Sequence, residues 1–343
     1  MKKTLTLFIL TVLAIMFTLG LSFATVELPR AISYVLSAYF PDIALDFKLI
    51  EEFMTYARPI GYACLVAVIA LIVVGLKTGR RTLSSLGSIA FFLPTFGYFA
   101  LSMFFLTGVG ILRVLWLPFW DLSTSLLKFG DIIYLPYMIL VYPFSLIQLD
   151  VRVPLAYLAI GSGLLIFLLG TIAWFYGKSE RREIIDFWIY KYSRHPQYIG
   201  FLIWSYGVML LAALSPSPFG GYNPGPSLPW LISALIVICI ALSEEIQMTK
   251  KYGEEYLKYQ RGAPFMLPLP SFISSLVTAP NRVLFNSNLP KRGKQIIYTF
   301  AVYSAILILL SLPFLLLEWP PGLGWQGWPS ILRPPHPPSL LSP

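Results

Sequence analysis

The sequence predicts an all-α protein, a polytopic transmembrane helical bundle of about seven to eight spans. Of its 343 residues, 57% are hydrophobic and only 12% are charged, about half the charged share of a typical soluble domain. Several apolar runs are long enough to cross about 30 Å of hydrocarbon. The cations lie in short segments beside these runs, as the positive-inside rule describes. The net charge of +9 therefore reflects membrane topology, and we expect no nucleic-acid partner.

The first predicted unit, residues 1–130, begins with a candidate signal anchor. An uncharged run at residues 4–24 follows two lysines and ends in small residues. This pattern fits a cleaved signal peptide or an uncleaved anchor, and the length of the run favours the anchor. Residues 25–58 mix charged and apolar residues, which predicts an amphipathic helix on the outer surface.

Two further spans are predicted in this unit, at Pro59–Leu76 and Leu86–Leu106. Residues 107–130 place Arg113 and two other charged residues among tryptophans and phenylalanines. A full span there would bury Arg113 at high cost. We therefore predict an interfacial or re-entrant helix for this segment.

The second unit, residues 131–280, is the predicted membrane core. Its expected spans are Ile132–Leu149, Pro154–Tyr176, Pro196–Leu214 and Leu228–Leu242. The last two form a helical hairpin around an uncharged turn rich in proline and glycine. An even number of spans separates the two ends of this hairpin, so both should lie on one face of the bilayer. Charged segments on that face, including an inner surface helix at Lys178–Arg194, should complete a cytosolic pocket.

The third unit, residues 281–343, holds the final span and a proline-rich tail. The span is predicted at Ile297–Leu317, with cations before it and tryptophans after it. The two cysteines, Cys64 and Cys239, fall inside apolar runs. They fit buried hydrophobic positions better than a disulfide framework or a metal site, so no metal is expected.

The most informative stretch begins with Arg194 and His195 at the start of the hairpin. Pro196 suits the first position of a helix, where its missing N–H costs nothing, and it keeps His195 out of the helical region. Tyr198 follows within the first turn, and Gly200 permits close approach of a backbone or a ligand. The free N–H groups at this helix start attract a carboxylate or a phosphate.

Two adjacent acids, Glu244 and Glu245, end the returning span. An unpaired carboxylate is costly near lipid. The acids should therefore meet a cation, either Arg194 across the hairpin or a cationic ligand. S-adenosylmethionine fits both ends of the hairpin, with its carboxylate at the helix start and Arg194, its ammonium or ribose at the glutamates, and its adenine beside Tyr198 or His195. Ordinary inner-edge cations and a solvated acidic face are the simpler alternative.

These residues resemble the membrane methyltransferase family that includes isoprenylcysteine carboxyl methyltransferase and phospholipid N-methyltransferases. The family pattern Tyr-x-x-x-Arg-His-Pro-x-Tyr-x-Gly is met from Tyr190 to Gly200. A second block pairs Glu244-Glu245 with a Tyr-Gly-x-x-Tyr-x-x-Tyr run and a later proline. The resemblance covers about residues 154–270, although Trp188 stands where the family usually has glycine. It implies S-adenosylmethionine binding by the following residues: His195, Pro196, Tyr198, Gly200, Glu244 and Glu245.

The predicted function is methyl transfer from S-adenosylmethionine to a lipid-soluble or lipidated acceptor, with a carboxylate favoured over an amine. Arg194 and Glu245 are the candidate catalytic residues, and Arg194 or Arg261 could orient an anionic acceptor. Membrane sterol and olefin reductases share part of the pattern but use NADPH, whose phosphate would not suit Glu244-Glu245. A non-enzymatic membrane scaffold is the third possibility. The lipid bilayer is an expected partner, the pocket is expected on the cytoplasmic side, and the sequence gives no oligomeric state.

Overall fold

The computed structural model describes residues 2–36, 47–92, 117–214 and 227–316. Within these ranges the regular structure is entirely helical, which confirms the predicted all-α class. The helices are α1 (Lys2–Leu36), α2 (Phe47–Thr78), α3 (Arg81–Phe92), α4 (Leu117–Leu122), α5 (Leu135–Leu146), α6 (Arg152–Ser179), α7 (Pro196–Leu214), α8 (Ser227–Tyr252), α9 (Glu254–Gly262), α10 (Ser271–Phe285) and α11 (Gly293–Leu316). Two 3₁₀ segments, Thr124–Tyr134 and Trp188–Lys191, complete the set for these ranges.

Six described helical regions are long and apolar enough to cross a membrane: Lys3–Thr25, Arg58–Thr78, Lys128–Leu146, Arg152–Ser179, Ser227–Gly262 and Gly293–Leu315. The chain is thus an integral membrane protein by composition and helix length. The more specific expectation of seven to eight spans is not confirmed. The end of the predicted span 86–106, the residues around Arg113, the hairpin turn at 215–226 and the proline-rich tail lie outside the described residues.

The predicted helical hairpin consists of α7 and α8, which run in opposite directions. At one end, Arg194 and Glu245 are joined by a hydrogen bond of 3.0 Å. At the other end, the indole nitrogen of Trp230 donates to the hydroxyl of Ser205 at 3.0 Å. Helix α7 begins at Pro196, as predicted. Helix α8 continues to Tyr252, about two turns past the two acids that end the predicted span.

Close packing of α6 against α7 positions the start of the hairpin. A methyl group added at Gly163 would lie 2.2 Å from the backbone nitrogen of Trp204. One added at Gly200 would lie 2.4 Å from the backbone nitrogen of Phe167. Small residues of this kind let two membrane helices approach at backbone distance. Gly200 therefore serves the helix contact in this structure.

The prediction of a surface helix at Lys178–Arg194 is wrong. Helix α6 ends at Ser179, and the chain then folds back over it through residues with positive φ, 57° at Arg181 and 51° at Trp188. The cause is burial of two side chains within the segment, Ile185 and Tyr190, against the end of α6. A continuous helix in this charged segment could not return both side chains to that surface.

The N-terminal helices pack on this core. Helix α3 lies against α8, where the hydroxyls of Ser88 and Ser233 each donate to the other's backbone carbonyl at 3.3 Å. Helix α1 lies against α6. The described part of the predicted interfacial segment forms α4 and the first turns of a 3₁₀ segment. The division into three units stays a prediction.

Two glycines of α6 give a matched test of the helix contact. We expect Gly163→Ala to lower the free energy of unfolding by about 1–3 kcal/mol, because the added methyl overlaps the backbone of α7. Gly161→Ala should leave stability unchanged or raise it by up to about 1 kcal/mol, since nothing lies within 4 Å of the new methyl. Unfolding by titration with sodium dodecyl sulfate measures both variants. Equal effects would contradict the packing described.

Candidate functional site

The corner before α7 fixes two side chains that the sequence singled out. The backbone N–H of His195 donates to the hydroxyl of Ser193 at 3.0 Å, and its carbonyl accepts from Ile199 at 3.1 Å. Pro196 is fully buried at the first helical position. The side chains of Arg194 and His195 consequently leave the corner toward the returning helix α8.

Glu245 is the centre of a buried hydrogen-bond network. Its Oε1 accepts from Arg194 Nε at 3.0 Å, His195 Nε2 at 2.9 Å and the Tyr256 hydroxyl at 2.7 Å. Its Oε2 accepts from Arg194 Nη2 at 2.8 Å and Gln260 Nε2 at 2.7 Å. A carboxylate offers about four lone-pair positions, so these five contacts use its full capacity. Because the carboxylate can only accept, Nε2 of His195 is the donor in this contact.

Arg194 is equally committed to protein partners. Two of its nitrogens form the bidentate pair with Glu245, and Nη1 donates to the carbonyls of Gln260 at 2.9 Å and Ala263 at 2.5 Å. Its backbone N–H donates to the carbonyl of Pro264 at 3.1 Å. Both side chains of the pair are 4% exposed. The pair therefore ties α7, α8 and the end of α9 into one unit.

The neighbouring acid, Glu244, has a different environment. Its Oε1 accepts from the Tyr198 hydroxyl at 2.8 Å, and its Oε2 lies 3.6 Å from Nδ1 of His195. Its side chain is 19% exposed, against 4% for Glu245. Successive residues of a helix point about 100° apart, so one acid faces the interior and the other faces open space.

That open space is a cavity of about 520 Å³ at the charged end of the hairpin. Its volume lies in the range of small-molecule sites, about 300–1,000 Å³. The end of α6 contributes Trp174 and Lys178, and α8 contributes Glu244 and Gln247. No group of three or more metal-ligating side chains that could hold an ion occurs among the described residues.

A cluster at the rim of the cavity joins the segment after α6 to the end of α8. The ammonium of Lys251 lies 3.7 Å from the carboxylate of Glu183 and donates to the Tyr252 hydroxyl at 2.6 Å. A hydrogen bond from Tyr252, together with the charge of Lys251, lowers the pKa of Glu183. Glu183 is thus an anion at neutral pH, beside Lys251.

Four of the predicted site residues line the cavity: Arg194, His195, Tyr198 and Glu244. The other four do not. Pro196 is buried, Gly200 contacts α6, and Glu245 is enclosed by its donors. Arg261 is an exposed residue whose guanidinium lies 3.5 Å from Glu254. The roles predicted for these residues stay predictions, but the geometry gives Arg261 no contact with the cavity.

Several lining residues were missed from the sequence as site residues. Trp174 lies near the end of a predicted span and fits an interfacial ring, and Lys178 begins the predicted surface helix and fits an ordinary inner cation. Gln197 lies within the recognised motif, at its variable position. Tyr190 marks the start of that motif; burial and the nearby Tyr259 phenol raise its pKa well above the usual value, so it is a neutral ring at this wall. Lys178 and Trp174, in contrast, lie outside the motif and had no signal that marked them as site residues.

Comparison with known proteins gives a partial similarity. The chain is 30% identical over 91 residues to Protein-S-isoprenylcysteine O-methyltransferase of Xenopus laevis. The match covers 26% of this chain and 29% of the length of that protein. No family model matches the chain, and no solved structure matches it. The similarity suggests a distant relationship to a membrane methyltransferase.

Proposed function

We propose that this chain is an integral membrane methyltransferase that uses S-adenosylmethionine and acts on a carboxylate of a lipid-soluble or lipidated acceptor. The observation that carries the proposal is the cavity at the hairpin ends, whose walls differ in charge. Glu244 with its hydrogen-bonded Tyr198 stands on one element, and Lys178 with Trp174 stands on another. This separation of acidic and basic groups suits a zwitterionic cofactor and an anionic acceptor, because their charged groups can then face groups of opposite charge.

The polar and aromatic groups of the cavity wall suit S-adenosylmethionine. An ammonium or a ribose hydroxyl suits the carboxylate of Glu244. The rings of His195 and Tyr198, 5.7 Å apart between centroids, offer faces beside which an adenine can stack. Gln197 and the backbone N–H groups of the first turn of α7 suit a carboxylate. Glu245 and Arg194 support this wall from behind, because their own polar atoms are occupied.

When bound, S-adenosylmethionine supplies a methyl group on a sulfonium centre, so the protein's task is to hold, orient and exclude water. A carboxylate acceptor is already ionised near neutral pH, with a reference pKa of about 4, and needs no general base. An amine acceptor would first have to lose a proton. Glu245 accepts from five donors, which makes it a poor base and favours the carboxylate.

Lys178 is the residue that we assign to the acceptor. Among the described residues, no carboxylate lies within salt-bridge distance of its ammonium, which sits 6.0 Å from the ring centroid of Trp174. A lysine at the C-terminal turn of a helix is also favoured by the helix dipole. Lys178 therefore replaces Arg261 as the proposed partner of the acceptor carboxylate.

The partial similarity supports the same class of acceptor, since the relative's name specifies O-methylation of isoprenylcysteine. A lipid-anchored acceptor would reach the cavity from the bilayer. The cations around the cavity favour the cytoplasmic side for this end of the hairpin. An NADPH-dependent reductase and a scaffold without a cofactor remain the competing functions, and the binding experiment below separates them.

Ligand binding tests the cofactor assignment directly. Isothermal titration of the purified protein should give heat with S-adenosylmethionine and with its demethylated product, and none with NADPH. Glu244→Gln should weaken binding by about 1–3 kcal/mol, because it removes a charge-assisted contact to the ammonium. Glu255→Gln, at an exposed acid outside the cavity, is the control. Heat with NADPH alone would favour the reductase, and heat with no ligand would favour the scaffold.

A second experiment tests the acceptor residue. With an S-prenylated N-acetylcysteine as the acceptor probe, Lys178→Met should raise the acceptor KM about tenfold or more, as expected for the loss of a charged hydrogen bond. The affinity for S-adenosylmethionine should stay unchanged. Lys250→Met, at an exposed cation that does not line the cavity, should change neither quantity. A fall in cofactor affinity for Lys178→Met would move this residue to the cofactor half of the site.

A further inference from the structure

Helix α10 presents its apolar side chains outward. Phe272, Leu276 and Val283 are 71%, 74% and 84% exposed. Their spacing of four and seven residues puts them on one face of the helix. A helix on a water-facing surface normally shows the opposite arrangement, with its apolar face toward the protein.

The inward face of α10 is polar and fixed by hydrogen bonds. Asn281 is 4% exposed; its Oδ1 accepts from the Thr299 hydroxyl at 3.0 Å, and its Nδ2 donates to the carbonyl of Asn288 at 3.3 Å. The Tyr303 hydroxyl donates to the carbonyl of Val277. These contacts hold α10 on α11 in one orientation, so the apolar stripe cannot rotate inward.

Positive charge surrounds the end of this helix. Four cations occur between residues 282 and 294: Arg282, Lys291, Arg292 and Lys294. No acidic residue occurs between Glu255 and Glu318. Arg282 lies in the last turn of α10, and Lys291, Arg292 and Lys294 lie just before or within the first turn of α11, which is a candidate membrane span. The segment therefore combines an outward apolar stripe with a basic cluster at one end of a span.

Helix α10 is too short to cross the bilayer itself. Its 15 residues extend about 22 Å, less than the roughly 30 Å of hydrocarbon. An amphipathic helix with an apolar face and flanking cations typically lies in the interfacial plane of a membrane. A basic cluster next to a span also attracts anionic headgroups.

We propose that α10 and the four cations Arg282, Lys291, Arg292 and Lys294 form a binding surface for anionic phospholipid. The apolar stripe enters the acyl region, and the cations contact the headgroups. The surface is connected to the cavity through the segment before α10, where Ala263 and Pro264 accept from Arg194 and the ring of Phe265 lies 5.2 Å from that of His195. The proposal does not depend on the proposed enzymatic function.

The position of the stripe is tested by spin labelling in liposomes. Cys64 and Cys239 are first replaced by alanine, and a nitroxide is attached through Val283→Cys or, as the control, Glu255→Cys. The label at 283 should be relaxed more strongly by oxygen than by a water-soluble nickel chelate, and the control label should show the reverse. Nickel access at 283 would overturn the proposal, as would a label shielded from both reagents, which would indicate a protein partner instead.

Lipid selectivity is tested separately in liposomes of phosphatidylcholine. Spin-labelled phosphatidylglycerol should be enriched over spin-labelled phosphatidylcholine in the protein's motionally restricted shell. Replacing the four cations with glutamine should reduce this enrichment at least about twofold. A control variant removes four other exposed cations, Arg181, Lys191, Lys250 and Lys258, and should retain most of it. Absence of enrichment, or an equal loss in both variants, would overturn the proposal.

Discussion

The buried ion pair between Arg194 and Glu245 is the constraint on which the site depends. Two helix ends that are 51 residues apart in sequence meet through it, with a bidentate contact at 2.8–3.0 Å. Moving both charges out of water is costly, and the pair persists because every polar atom has a partner. Gln260 and Tyr256 from α9 complete that satisfaction. These two hydrogen bonds hold α9 at the site. The cavity lies beside this closed hydrogen-bond network.

The two adjacent acids, Glu244 and Glu245, have different environments. Glu245 turns inward and holds the architecture, whereas Glu244 turns toward the cavity and keeps a side chain that is 19% exposed. The rotation of one helical position separates a buried carboxylate from one that faces the cavity. Close packing of α6 on α7 then sets the opposite wall, because it carries Trp174 and Lys178 past the start of α7. The outward face of α10 is apolar, as the proposed lipid-binding surface requires.

Much of this arrangement could be predicted from the sequence. Pro196 marks the start of α7 because its ring is tolerated there, and the acids had to meet a cation in an apolar protein. The sequence could not tell which acid would be enclosed, because adjacent positions look alike until the helix is packed. It also could not predict the fold-back after Ser179, which depends on tertiary burial of Ile185 and Tyr190. Lys178 looked like an ordinary inner cation, because its position at the cavity depends on the packing of α6 against α7.

A double-mutant cycle on the ion pair tests the central claim most directly. The free energy of unfolding is measured by detergent titration for Arg194→Met, Glu245→Met and the double variant. Each single variant should lose about 3–5 kcal/mol, because an uncompensated charge stays buried. The double variant should lose less than their sum by at least about 1.5 kcal/mol. Effects that add within about 0.5 kcal/mol would contradict the account, since the two helix ends would then be held together by other contacts.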